Sequence, residues 1–189
     1  MAAVLDKPKP RKKRWTYEDY YRLDDDRRYE IYNGELIPMQ PPSPDSSHQR
    51  ESRKLLILLN EFVERKHLGE VFAAPLDVIF DEENTAQPDV MFIAKANAGI
   101  IKPRGVFGAP DLVVEILSPG SIRRDRYEKL SLYASSGVKE YWILDHANKS
   151  LEVLALRDKA YVVHSAAGEG GHVTSKLLRG FKVNLSDLL

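Results

Sequence analysis

Thr16-Tyr17-Glu18-Asp19 has the Thr-x-x-Asp form of a helix start and predicts a short helix to about Leu23. Between Arg28 and Met39 the apolar period shortens to two, and Asn33-Gly34 separates the alternating runs, which predicts a β-hairpin. Beyond the stiff loop Pro41-Pro42-Ser43-Pro44, the period lengthens again: Leu55, Leu58, Leu59 and Phe62 form one helical stripe through about Lys66. Asp45, Ser46 or Ser47 can cap this helix. Turn by turn back from Leu55, Ser52, Glu51 and His48 come near the same side, so the first turn can look into a cleft.

Gly69 is expected to stop that helix, with strands at residues 70–74 and 77–80 before a turn at 81–84. Two look-alike passages follow, Gln87-Pro88-Asp89-Val90-Met91-Phe92-Ile93 and Ala109-Pro110-Asp111-Leu112-Val113-Val114-Glu115-Ile116-Leu117-Ser118. Each reads as a strand carrying a carboxylate, and a Gly- and Pro-bearing loop over about 94–108 separates them. Residues 121–135 predict a helix that turns Leu130, Tyr133 and Ala134 to the core and closes at Ser136-Gly137. Further strands are expected at 139–145, 151–156, 161–165 and 181–185, before a last short turn. This order predicts a mixed α/β sheet with helices packed against it, neither a repeat array nor a regular doubly wound fold.

Strand alternation puts Asp111, Val113, Glu115 and Leu117 on one face and Leu112, Val114 and Ile116 on the other. Glu115 is therefore mid-strand in a run apolar enough to be central. If the two strands are neighbours, Asp89 and Glu115 face each other. An ionised carboxylate in an apolar strand costs several kcal/mol unless paired, so two of them point to a shared partner, and Mg²⁺ or Mn²⁺ is the natural candidate. Such a metal acidifies a bound water and neutralises charge building on a phosphate. A lysine would complete the set, yet the position two residues after Glu115 is Leu117. Lys129 is the candidate instead, on the helix that packs back over the Glu115 strand. Against this stand blander readings: an exposed helix face with an i,i+4 pair between Asp125 and Lys129, and a buried salt bridge from Glu115 to Arg124 or Lys129. His67, His146, His164 and His172 show no ligand spacing.

Composition narrows the classes. The 189 residues fit one domain, and no run approaches the roughly 20 apolar residues needed to cross a bilayer. Lys and Arg total 28 against 28 Asp and Glu, so no overall positive field marks a nucleic-acid binder. Absence of cysteine removes disulfides and thiolate chemistry. Residues 1–14 form a proline-broken basic run, expected to be a flexible tail ahead of a single domain at 15–189. No apolar segment follows that run, so a cytoplasmic location is expected. There is no Gly-rich phosphate loop, Gly-x-Ser-x-Gly elbow or His-Glu-x-x-His motif. Paired carboxylates also serve glycoside hydrolysis, but such sites usually add aromatic sugar platforms and lack the Pro-Asp framing.

The string Pro110-Asp111-Leu112-Val113-Val114-Glu115-Ile116-Leu117-Ser118-Pro119 is followed by Asp125, Lys129, Leu130, Tyr133, Gly137-Val138 and Glu140-Tyr141-Trp142. With Tyr29-Glu30-Ile31, Gly34-Glu35-Leu36, Pro41-Pro42-Ser43-Pro44 with His48, Gln87-Pro88-Asp89-Val90 and Arg179-Gly180-Phe181, it resembles the Uma2 family, also called DUF820, over residues 15–189. The resemblance implies the restriction-endonuclease-like fold of the PD-(D/E)XK nuclease superfamily, with flanking helices and an N-terminal β-hairpin. It implies that Asp89 stands for the superfamily aspartate, Glu115 for the acid of the following strand and Lys129 for a displaced lysine, with Glu30 and His48 bordering the cleft. A homodimer acting on nucleic acid, DNA ahead of RNA, is implied as well. The expected function is a Mg²⁺-dependent endonuclease that hydrolyses phosphodiester bonds. The alternatives are a catalytically silent nuclease-fold module that binds nucleic acid or protein, and a structural dimer in which Glu115 and Lys129 form a buried ion pair.

Overall fold

A computed structural model describes residues 13–39 and 45–189. All but the last two residues of the expected basic tail, and the Pro41-Pro42-Ser43-Pro44 loop, lie outside the described residues. Helix α1 (Tyr17–Tyr21) opens on a complete capping box: Thr16 Oγ1 accepts from the Asp19 amide at 3.2 Å while the Asp19 carboxylate accepts from the Thr16 amide at 3.1 Å. Strands β1 (Tyr29–Tyr32) and β2 (Glu35–Pro38) form the expected hairpin. Its two-residue loop takes φ of 50° at Asn33 and 74° at Gly34, the left-handed pair that Asn-Gly supplies at least cost.

Helix α2 (Ser46–Arg65) is capped by Asp45, whose side chain accepts from the amides of Ser47 and His48 at 2.9 Å. Its buried stripe is Glu51, Leu55, Leu59, Phe62 and Val63. Leu55 and Leu59 are fully buried, which favours docking by about 1.5–3 kcal/mol each. The left-handed stop after the helix falls on His67, at φ 53°, rather than on Gly69. Gly69 is required one step later, because a Cβ there would lie 2.0 Å from the carbonyl oxygen of Ile93 in the neighbouring strand.

Seven strands occupy the middle of the chain: β3 (Gly69–Ala73), β4 (Val78–Asp81), β5 (Asn84–Ala86), β6 (Val90–Ala94), β7 (Ile101–Lys102), β8 (Gly105–Phe107) and β9 (Leu112–Ile116). The expected loop between the Pro-Asp strands is thus a 3₁₀ turn, Lys95–Ile100, followed by the β7–β8 hairpin, whose strands of two and three residues are too short to print a period. Helical turns Arg124–Lys129, of π form, continue as α3 (Leu130–Ser136), closed by Gly137 at φ 89°. Strands β10 (Glu140–Asp145), β11 (Ser150–Arg157), β12 (Ala160–Ala167), β13 (His172–Thr174) and β14 (Lys182–Asn184), with helix α4 (Leu185–Leu188), complete the described chain.

The core sheet runs β12-β11-β10-β9-β6-β3, with β9 and β10 parallel and the other pairs antiparallel. A second sheet, β2-β1-β5-β4-β8-β7, adjoins it, and β13 pairs with β14. All five residues of β9 are buried, as a central strand requires. Leu112, Val114 and Ile116 pack with Leu55, Leu59, Phe62 and Trp142 beneath α2, whereas Val113 and Leu117 pack with Tyr133, Val138 and Tyr141 beneath α3. Register pairs Val90 with Val114, so Asp89, one residue before β6, comes level with Glu115. Among the described residues no helix is long and apolar enough to cross a membrane.

Candidate active site

Glu115 points from β9 toward α3, and its side chain is 5% exposed. Its Oε1 accepts from Lys129 Nζ at 2.9 Å and from the Tyr133 hydroxyl at 2.5 Å. Both donors come from one helix. The turn after β9 is pinned by Ser121 Oγ, which accepts from the Ser118 amide at 3.0 Å, and the helix then lies back over the strand with Lys129 and Tyr133 a turn apart on its inner side. Lys129 is buried, so the exposed-helix reading of this segment does not hold, although the Asp125–Lys129 pair and the Glu115–Lys129 salt bridge are both formed.

Two more carboxylates reach the same ammonium. Glu30 Oε1, from β1, lies 3.1 Å from Lys129 Nζ, and Asp125 Oδ1 lies 3.5 Å away. Glu30 is itself held by the Gln87 amide at 3.1 Å and by Arg124 Nη1 at 3.3 Å, which ties the second sheet to the core sheet here. Asp89 meets β9 from the other side: its Oδ2 accepts from the Ile116 amide at 2.8 Å and lies 3.3 Å from His48 Nε2 on the first turn of α2. Asp89 and Glu115 thus flank the last residues of β9, with Glu30, His48 and Lys129 around them.

Asp111 does not join this group. Its Oδ1 pairs with Lys139 at 2.6 Å and its Oδ2 accepts from the Ala94 amide at 2.8 Å and Asn97 Nδ2 at 3.2 Å, so it fastens the start of β9 to the end of β6. The apolar stripe alone places Tyr133 in the core and an i,i+4 pair alone leaves Asp125 on the surface; the joint i,i+4 spacing of Asp125, Lys129 and Tyr133 is the signal that puts all three on one side. Glu51, a turn beyond His48, is buried against His146 Nδ1. His146 had been set aside for lack of ligand spacing.

One ammonium faces three buried carboxylates, and the electrostatics follow. Burial pushes the Glu115 carboxyl well above the usual range, only partly opposed by Lys129. Burial likewise raises Asp125. Burial alone would lower the Lys129 ammonium, but Glu115, Glu30 and Asp125 together hold it well above its ordinary value, so it stays charged. Each shift retains a proton in a cluster short of positive charge. For His48, burial lowers the pKa, yet the hydrogen bond and charge of Asp89 outweigh it and leave the imidazole above its ordinary value.

A divalent cation fits part of this donor set. Asp89 Oδ1 and Glu115 Oε2 accept no hydrogen bond among the described residues, and Asp125 Oδ1 is a buried oxygen with no hydrogen-bond partner. No group of three or more His, Cys, Asp or Glu among the described residues is gathered as a metal cage. The set therefore suits a hard cation held by two carboxylates that keeps several waters, the habit of Mg²⁺.

A mixed sheet that brings carboxylates from adjacent strands and a helix lysine to one strand end defines a restriction-endonuclease-like α/β protein. The chain belongs to the Uma2 family, whose model, described as "Putative restriction endonuclease", matches residues 17–186. A crystal structure from Anabaena variabilis ATCC 29413, described as "a putative nuclease belonging to DUF820", has the same fold, with a TM-score of 0.74 at 18% identity over 92% of this chain and 96% of that one. No curated protein matches the sequence.

Proposed function

We propose that the chain is a Mg²⁺- or Mn²⁺-dependent endonuclease that hydrolyses phosphodiester bonds of DNA, with Asp89 and Glu115 as metal ligands. The observation that carries this reading is the juxtaposition of those two carboxylates at the end of β9, each with an unengaged oxygen, beside a cluster in which Glu30, Glu115 and Asp125 share one ammonium. Uncompensated buried charge is unfavourable, and a cation relieves it. When bound, a divalent cation supplies charge neutralisation at the phosphate and acidifies water toward neutral pH.

The chain's own groups do the positioning. Tyr133 and Lys129 fix the Glu115 carboxylate, while the Ile116 amide and His48 fix Asp89. Lys129 sets a positive charge beside the place where charge develops on phosphorus oxygens, and its three carboxylate partners hold it there. Arg124, braced by Glu30 and about one-third exposed, is placed to meet a backbone phosphate. With 28 basic and 28 acidic residues in balance, recognition rests on such local groups. The proposal includes a homodimer, supported by β12, an edge strand that exposes Val162 and Val163, a surface suited to pairing with another copy. Light scattering of purified protein decides that part, and a monomer removes it.

Melting temperature with and without Mn²⁺, for wild type and Glu115→Gln, tests the ligand assignment. A metal-induced rise in the wild type alone is expected, and equal rises in both proteins sink it. A second reading, a silent module, draws on Glu115 Oε1 and Lys129 already being engaged with each other. It expects salt-sensitive DNA binding with no hydrolysis at any metal concentration.

A further inference from the structure

A cavity of about 450 Å³, open to solvent on one side, lies between α3 and the turns of the second sheet. Small-ligand sites span about 300–1,000 Å³, so it holds a group of modest size. It adjoins the site already described. Tyr32 and Leu132 line both this cavity and the narrow space beside Glu30 and Lys129. The same two elements build both places: Glu30 and Tyr32 share a face of β1, two residues apart, and Lys129, Leu132 and Ser136 follow one another down one side of the helix. Phe80, in the cavity wall, packs on Tyr133 at 5.6 Å between ring centroids, and Tyr133 holds Glu115.

The lining selects a kind of ligand. Among the described residues its one charged group is Asp81, already engaged with Asn84 Nδ2 at 2.9 and 3.0 Å and with the Glu83 amide at 2.9 Å. With no cation among the described residues of the wall, a phosphate is disfavoured inside. What the wall offers is the two rings Tyr32 and Phe80, together with hydrogen-bonding groups that have no partner among the described residues: the Tyr32 hydroxyl, the Asn33 side-chain carboxamide and the Ser131 and Ser136 hydroxyls. Two aromatic side chains plus uncharged donors and acceptors, beside a single carboxylate that is already engaged, are chemistry that can read an unstacked base. We infer that the cavity is a nucleobase subsite, seating one base of an unpaired nucleotide next to the bond addressed by the Glu115 cluster. The inference rests on the nuclease reading for the origin of its ligand. It makes the preferred substrate single-stranded or locally opened nucleic acid.

The test uses the full chain and nucleosides as probes, with amide NMR shifts as the readout, so that it does not depend on hydrolysis. Adenosine and cytidine are titrated against wild type, Ser135→Trp and Glu115→Gln, with ribose as the sugar control. Ser135 lines the cavity from the exposed side of α3, so a bulky ring there fills the space without entering the core, and circular dichroism verifies the fold. Saturable shifts at Tyr32, Asn33 and Ser136 are expected with nucleoside and not with ribose, weakened at least tenfold by Ser135→Trp and unchanged by Glu115→Gln. Absent shifts, equal shifts with ribose, or binding untouched by Ser135→Trp overturn the subsite. Nucleoside binding without metal-dependent cutting by the wild type supports the subsite and counts against hydrolysis alone.

Discussion

Replacing Lys129 with Met keeps the length and apolar stem of the side chain and deletes only the ammonium. That ammonium lies 2.9 Å from Glu115, 3.1 Å from Glu30 and 3.5 Å from Asp125, carboxylates whose side chains are 5%, 5% and 2% exposed. Removing one partner of a buried pair costs about 3–5 kcal/mol, and here Glu115 and Asp125 lose their counter-ion while Glu30 keeps Arg124. Against a total stability of about 5–15 kcal/mol this is a large fraction. At about 2–4 °C per kcal/mol for a domain of this size, the melting temperature near pH 8 falls by about 6–20 °C. The sign of the pH effect is fixed by the acids. Burial already holds Glu115 and Asp125 above the ordinary carboxylate range, and Lys129 is the group that draws both down, so its loss raises them further. A carboxyl raised in the folded state favours folding most below its unfolded pKa and loses that contribution as pH climbs to the folded value. The deficit of Lys129→Met is thus greatest near pH 8 and shrinks toward pH 5, where the cluster takes up protons. Urea unfolding of both proteins at the two pH values measures it. A deficit under about 1 kcal/mol near pH 8, or one that does not shrink near pH 5, refutes the reasoning.

Tyr133→Phe removes the hydroxyl that donates to Glu115 at 2.5 Å, a buried hydrogen bond, and should cost about 0.5–1.5 kcal/mol by denaturant titration. Asp111→Ala frees the Ala94 amide and Lys139, and should lower stability by about 1–3 kcal/mol while leaving any metal-dependent cutting intact, since Asp111 stands apart from the cluster. His48 should titrate above the ordinary histidine value by NMR and fall back in Asp89→Asn. Its contribution to stability is full below the ordinary value and is lost as pH rises through the raised one, so Asp89→Asn should flatten that part of the pH profile.

The long periodic elements were readable from the sequence because their signals are local. Asn33-Gly34 fixed its hairpin through backbone φ alone, and the alternation in β9 assigned Leu112, Val114 and Ile116 to one core and Val113 and Leu117 to the other. The elements that escaped, β5, β7, β8 and β13, are two or three residues long and exist through pairing with distant partners, which no local window records. Asp89 and Glu115 were singled out by charge within apolar strands, and Lys129 by its place on the helix that packs back over the Glu115 strand. Their neighbours were harder, since the Tyr133 hydroxyl and the buried Asp125 matter only once the helix after Ser121 is seen to start in π form and lie on β9. The likeness between the two Pro-Asp passages concealed a division of labour: Asp89 engages His48 and the Ile116 amide at the end of β9, and Asp111 ties strands together.

In the proposed function Asp89 and Glu115 act together with a divalent cation on a phosphodiester bond. The most direct measurement is the initial rate of cutting of single-stranded and duplex DNA in Mg²⁺ or Mn²⁺ by wild type and by Glu115→Gln, with folding of both verified. Cutting by the wild type is expected to stop on chelation and to be at least about 100-fold slower in Glu115→Gln, the equivalent of roughly 3 kcal/mol of lost transition-state stabilisation. A wild type that cuts neither substrate in either metal, or a Glu115→Gln protein that cuts as fast, contradicts the proposed function.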